Sequence, residues 1–530
     1  MVKTQRQASI LKSVVPNEIQ QLSVENSPLR KYVPYASNWE GLKTAAHNRR
    51  FSQYQRNILK HVLLEQYKGI KLSAKLKENI EALSDEKTFT VTTGHQVCFL
   101  GGPLYFVIKL ASVIKLAQQL QDQMPDYKII PVFWMATEDH DFEEANHVYL
   151  KNQKFSYSSD RAGAVGRINS KYTQEAFDAL KSVHPELEMS SFFLELEKAY
   201  LQSNSIAEAT RKMANAWFGN QGLVCIDADH AEFKKSFARI LERELNENFS
   251  ISKLEEANEA LAKLGMAPQI HGREINLFYL DDAERVRIER SGDKYKVGQR
   301  ELSLEALMSE PQKLSPNVVL RPLYQEYILP NLAYVGGPAE LKYWLQLTNI
   351  FKAVDVDYPV LVHRDNFIFL REESYQFLVE NGLEIDVLWK NLEEIEKFWV
   401  EKRIKKDEEW LRWKNDFGMR FEDLSKRESL GRKSKAYIPA ANRKFEKIIE
   451  QLEKRIYRDH KLELASELRK WQEIKEEAFP LGSFQERLIS VLDIIGLMGA
   501  EPFENFVANC DPFDQKLKVL IWTSSKTSVG

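Results

Sequence analysis

Cysteine is scarce in this chain: Cys98, Cys225 and Cys510 are the three in 530 residues, far apart and without a C-x-x-C spacing. That excludes a disulfide framework and a zinc knuckle, and makes a reducing cytosol the simplest setting. Long hydrophobic runs are missing too. No unbroken apolar stretch is long enough to span a bilayer, and the opening MVKTQRQASILKSVVPNE lacks the apolar core of a signal peptide. The expectation is a cytoplasmic protein, neither secreted by that route nor embedded in a membrane. Charge of one sign is also in short supply. A formal net charge of -3 gives no global lure for nucleic acid or an anionic membrane. Finally, there is no G-x-G-x-x-G and no Walker loop, so no nucleotide-phosphate fingerprint stands out.

What is present is an ordinary globular composition, 43% hydrophobic and 28% charged, in a chain long enough for about two to four folding units. The most informative stretch is 88–147. Phe89 to Thr93 is a β-branched run that stops at Gly94-His95-Gln96. Gly101-Gly102-Pro103 then opens a helix with Leu104, Ile108, Ala111, Ile114 and Leu116 on one stripe and Lys109 and Lys115 as its charges. Ile129 to Met135 is apolar on both faces, as a strand buried between helix layers must be, and ends in Thr137-Glu138-Asp139-His140-Asp141. Gly222 to Ile226 repeats the pattern, ending in Asp227-Ala228-Asp229-His230. If these strands are parallel, His95, Glu138, Asp139 and Asp229 share the carboxyl edge of one sheet, where open α/β sheets bind ligands.

The rest of the chain is organised around that core. Residues 28–87 form a polar helical lead-in, and 151–219 an insertion after the second strand. Between 265 and 316 the texture becomes alternating, INLFYL, ERVRIER and DKYKVG with a turn at Ser291-Gly292-Asp293, which predicts a small antiparallel insertion. The core resumes with Tyr334-Val335, Gly336-Gly337-Pro338 and a helix bearing Glu340, then Tyr358 to His363. Each glycine pair could cradle a phosphate at a helix terminus, although proline at a first helical position explains the pattern equally well.

Residues 384–478 carry 24 Lys plus Arg against 22 Asp plus Glu, and balanced charge argues against a nucleic-acid arm. Trp410, Trp413, Phe417, Phe421 and Leu424 step by threes and fours, as do Phe445, Ile449, Leu452 and Ile456 after the GRKSKAYIP break. Two long helices folded back as an antiparallel coiled coil are expected, with the aromatic stripe as seam. An amphipathic helix over Gln485 to Met498 and a strand over Lys518 to Trp522 return the chain to the core. The expected division is therefore 1–383 core, 384–478 coiled coil and 479–530 C-terminal segment.

TTGHQ, GGPLY with Lys109, PVFWMATEDHDFEE and LRPLYQEYILPNLAYVGGPAE resemble the motifs of the bacillithiol-synthesis cysteine-adding family, BshC, across essentially the whole chain. The resemblance implies an α/β fold with a Rossmann-like parallel core similar to class I aminoacyl-tRNA synthetases and nucleotidyltransferases, connecting insertions, and a coiled coil used to form a homodimer. It implies addition of L-cysteine to the amine of glucosaminyl-malate, the last step in making the low-molecular-weight thiol bacillithiol. Gly94-His95 takes the place of the closing Gly-His of the synthetase HxGH motif, where histidine would stabilise charge developing on a nucleotide phosphate. No KMSKS-like loop lies in the core, and KSKAY at 433–437 falls in the coiled-coil turn, so participation of ATP or ADP with magnesium stays open.

Amide formation from a carboxyl and an amine requires donors aimed at a developing oxyanion and a base for the attacking amine. His95 and Lys109 suit the first role. Glu138, Asp139 or Asp141 suit the second, or the binding of cysteine's ammonium. Arg321 and Arg364 could grip the malate carboxylates bidentately, with Gly94, Gln96, Gly102, Tyr105, His140, Asp229, Gly336 and Gly337 completing the expected substrate-binding set. Two rival classes remain. A metal-dependent hydrolase would draw on Glu138, His140, Glu144 and His147, whose E-x-x-H spacing puts Glu144 and His147 on one helical face, with no third ligand identifiable; a non-catalytic scaffold would make the coiled coil itself the function.

Overall fold

A computed structural model describes residues 2–7, 16–24, 26–281, 284–406, 408–499 and 501–523. The chain divides into two compact units, one of residues 1–371 with 483–530 and one of residues 372–482.

The first unit is built on a five-stranded sheet. Its strands are β1 (Thr88–His95), β2 (Lys128–Met135), β3 (Val224–Asp227), β4 (Asn331–Gly336) and β5 (Val360–His363). All are parallel, in the order β5-β4-β1-β2-β3. This is Rossmann-like topology, and the order reverses between β1 and β4, which opens a crevice beyond their carboxyl ends. Helix α1 (Tyr105–Gln123) crosses from β1 to β2, and α2 (Ala231–Glu247) follows β3. Helix α3 (Arg321–Ile328) precedes β4, and α4 (Pro338–Leu345) follows it.

The strands are apolar because both faces are covered. One hydrophobic cluster gathers Phe89, Val91, Val113, Leu116, Leu332 and Val362, and the larger one gathers Ile130, Val132, Phe133, Phe106 and Ile108. Threonines within this buried sheet would be costly without partners. They have them: Thr90 and Thr92 donate to Asn331 Oδ1 at 3.2 and 2.8 Å, and Thr93 to the Val335 carbonyl at 2.7 Å. Between β1 and α1 the backbone passes through positive φ at Leu100, Gly101 and Gly102. A Cβ on Gly102 would stand 2.7 Å from that of Cys98, so this turn requires glycine.

Residues 151–219 contribute helices Gln174–Val183, Ser191–Leu201 and Ile206–Phe218. The alternating segment forms the strands Leu277–Leu280, Arg285–Ser291, Lys294–Val297 and Arg300–Leu302, an antiparallel series joined at its Leu277–Leu280 edge by Leu314–Pro316. A third sheet places Leu517–Trp522 between Val2–Gln7 and Asn366–Arg371. The predicted helix over 485–498 is instead three short pieces, Gln485–Arg487, Val491–Ile494 and Ile495–Leu497. The cause lies in its buried polar side chains. Gln485 exchanges two hydrogen bonds with the Phe369 backbone, and Glu486 accepts from the Phe367 amide, so this segment serves a strand edge rather than its own helix.

The second unit begins at Glu372, ahead of the expected 384, and is helical. Helices Leu392–Lys406 and Glu408–Lys426 run out and Arg432–Glu463 returns, continued by Ala465–Ala478. The reversal is at 427–431. GRKSKAYIP is therefore not a break: the returning helix starts at Arg432 and carries Pro439 inside it. Phe417 and Phe445 stack across the hairpin with ring centroids 4.7 Å apart, while the side chains of Trp410, Trp413 and Phe421 lie outside the described residues. Among the described residues, no helix is long and apolar enough to cross a membrane.

Candidate active site

The crevice at the β1–β4 switch opens into a cavity of about 920 Å³. Gly94, His95 and Gln96 border it from the end of β1, Asp139 and His140 from the loop after β2, and Gly337 and Glu340 from the start of α4. Parallel pairing sets His95 beside Met135 and Met135 beside Asp227, so the three strand ends do share one edge.

His95 is 7% exposed, and its Nδ1 lies 2.9 Å from the Gln96 carbonyl oxygen. A carbonyl only accepts, so Nδ1 carries the proton and Nε2 holds a lone pair. Nε2 is buried and has no hydrogen-bond partner. Burial, reinforced by the positive charge of Lys109, pushes the imidazole down to about 3, so His95 is neutral at physiological pH. That revises its expected part: a neutral ring presenting a lone pair receives a proton and does not stabilise an anion.

Lys109 is likewise reassigned. Its Nζ lies 2.9 Å from both oxygens of Glu340 and also donates to the Gly94 carbonyl. Glu340 further accepts from Tyr334 Oη and the Gly337 amide, each at 2.8 Å. Burial lowers the Lys109 ammonium, and although burial opposes it, Lys109 holds the Glu340 carboxyl below its usual range. The pair is a clamp joining β1, α1 and α4 beneath the cavity. All the ammonium's donors are spent in it, leaving none for an oxyanion.

The expected carboxylates separate. Asp139 Oδ2 accepts from Gln96 Nε2 at 2.9 Å and Arg321 Nη1 at 3.0 Å, and Oδ1 accepts from the His140 amide at 2.8 Å. Burial pushes its carboxyl up, but the hydrogen bonds and positive charge from His140, Arg321 and Gln96 outweigh that and hold it well below the carboxylate range. A group so firmly ionised is an anchor for Arg321, not a base. Glu138 does not border the cavity; it is buried against Lys234, whose Nζ also donates to the Leu314 carbonyl. Asp229 stands in a separate small cleft, gripped by Arg167 at 2.6 and 2.9 Å. Asp141 is exposed and caps the short helix that follows.

The two arginines expected to hold carboxylates already do, but within the chain. Arg321 is bound to Asp139. Arg364 is 2.6 Å from Glu486, donates to the Asp365 carbonyl at 2.7 Å, and lies over the Tyr105 ring. The glycine pairs spend most of their amides within the chain. The Gly337 amide is taken by Glu340, those of Gly101 and Gly102 by Cys98 and Phe99, and that of Leu104 by Ile489. Gly102 and Gly336 do not border the cavity, whereas Tyr105 does. These amides of the two loops are thus spent on acceptors within the chain. Glu144 and His147 border the cavity. Burial and the charges of Asp141 and Asp139 raise the Glu144 carboxyl, and burial lowers His147. Among the described residues no group of three or more histidine, cysteine or acidic side chains is placed to hold a metal, so the E-x-x-H pair gains no third ligand.

Sequence reasoning missed one wall of the cavity. His271, Arg273, Phe278, Arg285 and Arg287 reach it from the antiparallel insertion, and Arg487 from the segment after the helical unit. Arg285 donates to His140 Nδ1 at 3.0 Å and lies 4.0 Å from the Phe278 ring centroid. A signal was present in ERVRIER, because the two-residue period of a strand puts Arg285 and Arg287 on one face.

The comparisons agree with this architecture. Residues 17–365 match the family model described as bacillithiol biosynthesis BshC, N-terminal Rossmann-like domain, and 368–522 that of the BshC C-terminal coiled-coil domain. A relative from Flavobacterium johnsoniae is 35% identical over 475 residues, spanning 87% of this chain and 88% of its own. One from Flavobacterium psychrophilum is 36% identical, over 90% and 91%, and one from Bacillus mycoides 28%, over 92% and 94%. All three are provisionally named cysteine ligase BshC. With both domain models matched end to end on a Rossmann-like core and a helical hairpin, the chain belongs to the BshC family of bacillithiol biosynthesis.

Proposed function

We propose that the chain is a ligase joining the carboxyl of L-cysteine to the amine of glucosaminyl-malate, the last step of bacillithiol synthesis. The observation that carries this is His95: a buried, neutral imidazole with an uncommitted Nε2, bordering a cationic cavity at the sheet's switch point. An amino sugar arrives largely as its ammonium and must lose a proton before it attacks. Once the free amine has attacked the acyl carbon, its nitrogen is far more acidic than an ammonium; Nε2 takes that proton, and the Gln96 carbonyl steadies the imidazolium that forms. Cationic groups around the cavity favour the carboxylates of both substrates.

Forming the amide expels water, so the cysteine carboxyl needs activation. ATP with magnesium is one source, although the amides of Gly101, Gly102, Leu104 and Gly337 are already paired within the chain. Incubating the purified protein with L-cysteine and glucosaminyl-malate, with and without ATP and magnesium, should give a product detectable by mass. Its formation only with nucleotide assigns the activation to ATP. No product under either condition counts against the ligase.

The helical unit presents exposed apolar side chains at Met419, Leu424, Ile448 and Leu452, which suits self-association into a homodimer. Light scattering at micromolar concentration tests this, and a monomer refutes it.

A further inference from the structure

The cavity contains two kinds of arginine. Arg285, Arg321 and Arg364 are committed to His140, Asp139 and Glu486. Arg273, Arg287 and Arg487 border the same cavity, are exposed, and make no side-chain hydrogen bond or ion pair among the described residues. The acids on the cavity wall do not balance them. Asp139 is taken by Arg321 and Gln96, and Glu340 by Lys109. Glu144 alone remains, one carboxyl against three guanidiniums.

Three uncommitted guanidiniums bordering one concavity give it a positive potential that attracts an anion. Their placement comes from the fold. Arg287 is paired in register with Phe278, and Arg285, two residues before it, keeps its guanidinium over the same ring. The inserted sheet therefore turns a cationic, aromatic-backed face to the site. A guanidinium fork matches a carboxylate bidentately.

We infer that Arg273, Arg287 and Arg487 form the seat for the dianionic end of the acceptor substrate, a dicarboxylate. This rests on the ligase function proposed above. A phosphate would satisfy the same forks, so the test must separate the two anions.

Calorimetry on the full-length protein, using glucosaminyl-malate, glucosamine, L-cysteine and ADP as separate probes, does this. Each of Arg273→Met, Arg287→Met and Arg487→Met should weaken glucosaminyl-malate binding about tenfold to a hundredfold, the range for one hydrogen-bonded charged contact. Binding of L-cysteine, which brings a single carboxylate, should fall far less, and the thermal midpoint should not drop. Arg287→Lys, which keeps the charge and loses the fork, should recover only part of the affinity. Equal glucosaminyl-malate binding in all three variants overturns the assignment, and so does a loss confined to ADP, which would give the wall to phosphate. If the wild-type protein does not bind glucosaminyl-malate at all, the proposed ligase itself falls, a result distinct from wild-type binding that the variants fully retain.

Discussion

Replacing His95 with glutamine should flatten the acid limb of the protein's stability curve. The imidazole is 7% exposed and pushed down to about 3, first by burial and then by Lys109, against an ordinary value of about 6.5. Above about pH 6.5 neither the native nor the unfolded histidine is protonated, and this group imposes no penalty. Below it the unfolded chain binds a proton that the native state refuses. The native state then loses about 1.4 kcal/mol per pH unit until the folded value is reached. Between about pH 6.5 and about pH 5 the loss is ~2 kcal/mol. Wild type alone would not reveal it. Burial raises Asp227 to about 6 and Glu326 to about 7, and carboxyls raised in the native state add stability as pH falls, in the opposite direction. These groups titrate in both proteins, so they cancel in the difference. Urea unfolding at about pH 7.5 and about pH 5 should show wild type losing ~2 kcal/mol more than His95→Gln. Parallel curves would mean that His95 titrates normally and would remove the neutral base from the mechanism. If it is the base, the same variant should also lose about a hundredfold to ten-thousandfold in turnover.

Lys109→Met leaves the Glu340 carboxylate buried without its cation and should cost ~3–5 kcal/mol; adding Glu340→Gln should return a good part of that, and strictly additive losses by chemical denaturation would count against a clamp. Asp139→Asn should lower kcat/KM by releasing Arg321, yet leave the acid limb of the pH–rate profile in place, because an already ionised carboxylate does not titrate there; a displaced limb would reinstate Asp139 as the base. In the helical unit, a double-mutant cycle of Phe417→Ala and Phe445→Ala should give a coupling of about 0.5–1.5 kcal/mol for the stacked pair, and zero coupling would refute the pairing of the two helices there.

The core strands could be read from the chain because a parallel strand covered on both faces must be continuously apolar, and each ends where polar residues begin. His95 and Asp139 were legible on that basis, and the helical hairpin from the three-and-four spacing of its apolar residues. Ion-pair partners were not. Glu138 and Asp229 look like site residues in one dimension, but Lys234 and Arg167 capture them from 96 and 62 residues away in sequence, and no periodicity encodes such a pairing. Lys109 misled for the same reason, since its carboxylate lies 231 residues further on. The segment after the hairpin misled differently. Its apolar spacing suits a helix, but Gln485 and Glu486 face inward and bind strand backbone, and satisfying those buried groups overrides local propensity. The arginine wall went unread because an alternating antiparallel insertion gives no sign in its own sequence of which neighbouring surface its arginines face.

One electrostatic field serves both halves of the proposed chemistry. After burial, the charges of Lys109 and Arg364 hold His95 neutral, against the pull of Glu340, and the committed and free arginines give the cavity its attraction for carboxylates. A site that was merely anionic would bind the amino group well but raise the imidazole and fill its lone pair with a proton. A site that was merely apolar would keep the histidine neutral but repel two charged substrates. Cations resolve the conflict, and they add a dependence on occupancy. A dicarboxylate held among the arginines brings negative charge into the same cavity, and negative charge near an imidazole raises it. An imidazole raised in this way is a stronger base, nearer the range in which proton transfer at neutral pH is most effective. Proton acceptance is thereby favoured at the moment the acceptor amine is in place.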